Sequence, residues 1–249
     1  MTDVRFRTTR WTLVSGATSV DDGERSRALE ELCAAYWPPL YAYLRRRGRA
    51  PDEASDLVQG LFHVLLERDG LARIEARTGR FRSWLLTALR NHERDVRDHA
   101  HAQRRGSGVP AVPIDAVPID AAAGERAYQV AAASDADPVV VFERAWVRGV
   151  LDQARSALLE ESIAKGNGDL FRCLEPTLDA APDREERAAL AERLGLSPVA
   201  LRVAIHRMRE RYRALILAVV RETLSTNEDP ASELDALLSA VSEESHGSR

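Results

Sequence analysis

Apolar residues recur every three or four positions through almost the whole chain, and no stretch alternates with a period of two. Side chains at i, i+3 and i+4 share one face of a helix, so helices are the elements that can bury such a pattern. Leu29, Leu32, Cys33, Tyr36, Trp37, Leu40 and Tyr41 mark a first helical stretch, and Ala54, Leu57, Val58, Leu61, Phe62, Leu65 and Leu66 a second. Trp84, Leu85, Ala88 and Leu89 mark a third, over about 81–105, and Val141, Phe142, Ala145, Trp146, Val150, Leu151 and Leu158 a fourth. Ala, Leu, Arg and Glu dominate, all good helix formers. The expected fold class is all-α. A chain of 249 residues suits two small domains and a linker better than one large core.

Breakers divide the pattern. Pro38 and Pro39 are expected to kink or break the first helix. Gly48 to Pro51 reads as a turn, with Pro51 and Asp52 opening the second helix. Asp69-Gly70 and Thr78-Gly79 are further breaks. Residues 106–137 are rich in Pro, Gly and Ala and carry an immediate repeat, Val112-Pro-Ile-Asp-Ala then Val117-Pro-Ile-Asp-Ala. This segment is expected to be an irregular linker with no helix. Gly166-Asn167-Gly168 is a break, followed by a short helix over 170–178. The organisation expected is an N-terminal extension (1–23), a helical domain (24–105), the linker (106–137), a second helical domain (138–225) and an acidic tail (226–249). The tail holds one short amphipathic helix at about 234–241, which needs a partner surface.

The net charge of −4 argues against a nucleic-acid partner, but its distribution does not. Residues 80–105 carry seven Arg against three acids, a net of +4. Residues 197–221 carry six Arg against Glu210, a net of +5, whereas 222–249 carry seven acids against Arg249, a net of −6. Cys33 and Cys173 are isolated, which makes neither a disulfide framework nor a CxxC metal site. A reducing cytosol suits them, and no signal-peptide-like run or membrane span is read, so a cytoplasmic location is expected.

Glu185 to Arg213 has the pattern of a helix-turn-helix. Gly195 supplies the left-handed position of the turn, Leu196 plugs the crevice, Ser197 caps the second helix and Pro198 begins it. Leu201, Ile205, Met208 and Tyr212 form its buried stripe, and small Ala191 lets the two helices approach closely. Ser197, Val199, Ala200, Arg202, Val203 and His206 then lie where such a unit meets the major groove, with Arg202 suited to guanine. Arg207, Arg209 and Arg211 suit phosphates.

From Leu190 to Tyr212 the chain resembles the −35-reading domain of RNA polymerase sigma factors of the extracytoplasmic-function type. The N-terminal block is similar in the expected order. Leu29 to Arg47 resembles the first helices of the core-binding domain, and Pro51-Asp-Glu-Ala-Ser-Asp-Leu-Val-Gln-Gly-Leu-Phe62 the helix that docks on the polymerase clamp. Phe81-Arg-Ser-Trp-Leu-Leu-Thr-Ala-Leu-Arg-Asn91, continuing to Arg105, resembles the segment that melts and reads the −10 element. Thr9-Arg10-Trp11-Thr-Leu-Val resembles the opening of one subgroup. The resemblance implies two small helical domains and no enzyme activity or cofactor. It implies that Asp52, Glu53, Asp56 and Gln59 face a basic coiled coil of the β′ clamp. It further implies that Asn91 and His92 capture a base while Arg94, Arg97, Arg104 and Arg105 hold the non-template strand. Promoter DNA and core polymerase are the implied partners, with an anti-sigma factor or a kinase as the kind of regulator. The chain departs from the family at Ser55 and Gly60, where acids are usual. Phosphorylation of Ser55 would supply one missing charge.

Trp84, on an apolar stripe, is expected in the core and not as a stacking residue. His92, His99 and His101 lack a second ligand cluster, so no metal site is expected. Glu30-Glu31, Glu160-Glu161 and Glu185-Glu186 read as solvated helix faces. No phosphate loop, nucleophile elbow or metalloprotease motif is present. Two other readings fit the composition: a helix-turn-helix regulator that binds duplex DNA as a symmetric dimer without polymerase, and an adaptor with an Arg-rich surface and no salt-dependent DNA binding. The acidic tail could also fold over a basic helix and mask it.

Overall fold

A computed structural model describes residues 22–67, 81–103, 121–131, 136–221, 224 and 229–243. Among these, all regular structure is helical: α1 (Asp22–Arg46), α2 (Pro51–Glu67), α3 (Phe81–Gln103), α4 (Ala121–Ala131), α5 (Pro138–Ala164), α6 (Gly168–Leu174), a 3₁₀ turn (Glu175–Leu178), α7 (Arg184–Leu194), α8 (Pro198–Arg221) and α9 (Pro230–Glu243). The chain forms two compact units, Met1–Gly149 with Arg221–Arg249, and Val150–Val220.

In the first unit α1 runs unbroken through Pro38 and Pro39, against expectation. Each proline removes a ladder hydrogen bond. Tyr36, Trp37, Leu40, Tyr41 and Leu44 are all buried along this stretch, and that burial holds it. Gly48, at φ 86°, ends α1, and its N–H donates to the Arg45 carbonyl at 3.0 Å. Pro51 then starts α2, with Asp52 and Glu53 in the first turn, where the helix dipole favours acids. Val58 and Leu61 of α2 and Phe81, Leu85 and Leu89 of α3 are buried. Trp84, expected in the core, is half-buried at its edge and stacks on Phe81 with ring centroids 5.7 Å apart.

The segment read as an irregular linker contains α4, and this expectation is corrected. The prolines of 106–137 all precede residue 119, and Ala121–Ala131 is an alanine-rich stretch free of them. The helix packs tightly on α1. A Cβ at Gly124 would lie 2.2 Å from Trp37 Cζ3, so only glycine permits this approach. Tyr41 Oη donates to Glu125 at 2.7 Å and Arg45 Nε donates to the same carboxylate at 3.1 Å. Ala42, Ala131, Ala136, Val141 and Ala145 form a small core that Ala127 and Tyr128 pack against. The repeat at Val112 lies outside the described residues.

The expected tail helix is present as α9, capped by Asp229, which accepts from the Ser232 N–H at 3.1 Å. Its Glu233 is buried and paired with the fully buried Arg82 of α3, whose guanidinium also lies 5.0 Å from the Trp146 ring centroid.

The second unit is built around α8. Leu174, Ala191, Leu201 and Ile205 form its core, joined by Leu190, Leu194, Leu196 and Met208. Tyr212 Oη donates to the Leu151 carbonyl at 3.0 Å. Glu161, read from sequence as solvated, is buried and takes a hydrogen bond from Arg211 Nε at 2.9 Å. Its neighbour Glu160 is exposed. Glu186 is likewise committed, as half of a capping box with Asp183.

Candidate nucleic-acid interface

The turn between α7 and α8 is set by local chemistry. Asp183 Oδ1 accepts from the Glu185 and Glu186 N–H groups at 2.8 Å each, and Glu186 Oε2 accepts from the Asp183 N–H at 2.9 Å. Gly195 sits at φ 62°, and the Leu196 N–H donates to the Ala191 carbonyl at 2.9 Å. Ser197 Oγ caps α8, accepting from the Ala200 N–H at 3.2 Å. The burial of Leu201, Ile205 and Tyr212 fixes the rotation of α8 about its axis. Val199, Ala200, Arg202, Val203, His206 and Arg207 are therefore exposed on its first turns.

Two arginines expected to hold phosphates are instead used within the protein. Arg209 donates to the Thr177 carbonyl from Nε at 2.8 Å and Nη2 at 2.5 Å, and to the Ala180 carbonyl at 3.0 Å. It thereby satisfies carbonyls at the end of the 3₁₀ turn that have no helical donor. Arg211 is held by Glu161, and that ion pair keeps the carboxyl below its ordinary range.

On α3, Asn91, Arg94 and Arg97 are exposed and His92 is half-buried, while Arg104 and Arg105 lie outside the described residues. His92 packs over α2, where a Cβ at Gly60 would come within 2.8 Å of its Nε2. A side chain at position 60 would require the His92 ring to shift. Burial holds the imidazole below its ordinary value, partly offset by Asp95, so the ring is neutral at neutral pH.

What orients α3 escaped the sequence reading. Glu93 is buried and accepts from Arg47 at 2.9 Å and from Arg49 Nε at 2.9 Å. Arg90 and Arg47 both donate to Tyr43 Oη, at 2.9 and 3.2 Å. The signal was the basic run Arg45-Arg46-Arg47 with Arg49, placed beside neither charge island. This cluster fixes α3 against α1 and turns Asn91, Arg94 and Arg97 outward.

On α2, Asp52, Glu53 and Asp56 are exposed, and Ser55 and Gln59 are half-buried. Glu53 pairs with Arg49 at 2.7 Å. The structure thus offers a basic face on α8, a mixed face on α3 where exposed Arg94 and Arg97 stand among exposed Asp95 and Asp98, and an acidic face on α2. No family model matches the chain, and no curated protein or solved structure was found to be similar to it.

Proposed function

We propose that the chain is a sigma factor: it binds core RNA polymerase and directs initiation by reading a −35 duplex and a −10 strand. The observation that carries this reading is α8, whose turn, cap and buried stripe leave Arg202, His206 and Arg207 exposed at its amino-terminal half. The exposed Asn91, Arg94 and Arg97 on α3 suit a single strand, because arginines track a backbone and an extruded base offers its edges. Asp52, Glu53 and Asp56 present a charge opposite to that of a basic clamp surface. A cytoplasmic site of action and the absence of catalysis belong to the same proposal. Run-off transcription with purified core polymerase on a genomic promoter library tests it. Start sites that appear only with this protein, behind a shared pair of elements, are the expected result. Duplex binding without any gain of initiation by core would replace it with the dimeric regulator.

A further inference from the structure

Among the described residues, six large apolar side chains stand exposed: Val96, Val130, Ile163, Val199, Val203 and Leu238. Two of them, Val199 at 66% and Val203 at 41%, are one turn apart on α8. At about 100° per residue they lie almost opposite Leu201, Ile205 and Tyr212, on the crest of the helix. Arg202 and Arg207 flank this crest on either side, His206 continues it and Glu210 closes it, all four exposed. A carboxylate on the crest confines any close approach of phosphates to the turns before it. The part of α8 that can go deepest into a groove is therefore apolar, with cations at its edges.

The major groove offers one apolar group, the 5-methyl of thymine. We propose that Val199 and Val203 read thymine methyl groups on base pairs within two steps of each other, making the recognised site a short thymine-bearing element beside the position contacted by Arg202. The inference rests on α8 being the DNA-reading helix. The spacing sets the separation: the four residues from Val199 to Val203 rise about 6 Å along the axis, against about 3.4 Å per base step, so the pair spans about two steps. A solvent-facing valine pair has no other evident use in α8, because alanine is the better helix former.

The test uses the full-length chain, alone and with bacterial core polymerase, to select duplexes from a randomised pool. Enriched duplexes are then remade with deoxyuridine in place of thymidine, one position at a time, which deletes only the methyl. Wild type is expected to lose about fourfold in affinity per methyl at one or two positions within two base steps of each other. The double variant Val199→Ala, Val203→Ala should bind both versions equally and have a thermal midpoint no lower than wild type, since both side chains are exposed and alanine favours the helix. Equal binding of thymine and uracil duplexes by wild type would overturn the inference and leave DNA reading intact. So would a uracil penalty that survives in the double variant, because another side chain would then sense the methyl. If no sequence is enriched with or without core, α8 is not a sequence reader, and the inference falls together with the reading beneath it. In that case the valines serve a protein contact.

Discussion

At the scale of single residues, chemically identical side chains on one helix divide by what lies beneath them. Arg207 is exposed on α8, whereas Arg209, two positions on, is folded onto the carbonyls of Thr177 and Ala180. Arg207→Ala should therefore weaken duplex binding about equally for all sequences and reduce the slope of log affinity against log salt by about one. Arg209→Ala should leave that slope unchanged and lower the unfolding free energy by about 1–3 kcal/mol, because carbonyl groups lose their donor. Salt titrations and urea unfolding of the two variants separate the effects. The cysteines divide in the same way. Burial raises the Cys33 thiol to about 12, so at pH 8 about one molecule in ten thousand carries the thiolate there. Cys173 is half-buried. A maleimide should label Cys173 alone in the native protein and both cysteines in denaturant, as peptide mapping would show.

At the scale of elements, turn chemistry was the most legible feature. Gly195, Ser197 and the stripe of Leu201, Ile205 and Tyr212 are local instructions, and the structure follows each. What the sequence left obscure depends on distant partners. Glu161 looked like one more surface acid because Arg211 is fifty positions away. The segment before Ala121 masked α4, because its prolines and glycines were averaged with the alanines that follow. Glu93 looked like a charge diluting a basic island, although it is the carboxylate that holds Arg47 and Arg49. The Glu161 pair has a pH signature. Its carboxyl is held below the ordinary 4.5 by hydrogen bonding to Arg211, so the folded state binds the proton less readily than the unfolded chain. The stability this contributes is fully present above about 4.5 and is lost as pH falls through the lower folded value. Glu161→Gln should flatten that part of the acid limb, as urea midpoints measured from pH 6 down to pH 3 would show. A limb as steep as that of wild type would mean that Arg211 contributes nothing through this pair.

At the scale of the whole molecule, the first unit is closed by residues from both ends of the chain. Arg82 and Glu233 are 151 positions apart, and both are buried. Taking two ions out of water costs free energy that their attraction only partly returns. The pair therefore adds little to stability as such, but it penalises any state in which one partner is missing. Arg82 is poorly placed to tolerate such a loss, since its Nη1 is already buried without a hydrogen-bond partner. Glu233→Ala should then cost about 3–5 kcal/mol, as expected for one charge left alone in an apolar setting. Deleting the residues after Thr226 should cost at least as much, because α9 and its buried Leu234 leave as well. Replacing both partners, as Arg82→Met with Glu233→Leu, should return most of the loss, since no charge then remains buried. Chemical denaturation of the three variants against wild type distinguishes the outcomes. If Glu233→Ala is as stable as wild type, the acidic tail is an appendage. If only the double variant recovers, α9 is part of the unit that carries α3, and the proposed −10 contact of α3 depends on α9 being in place.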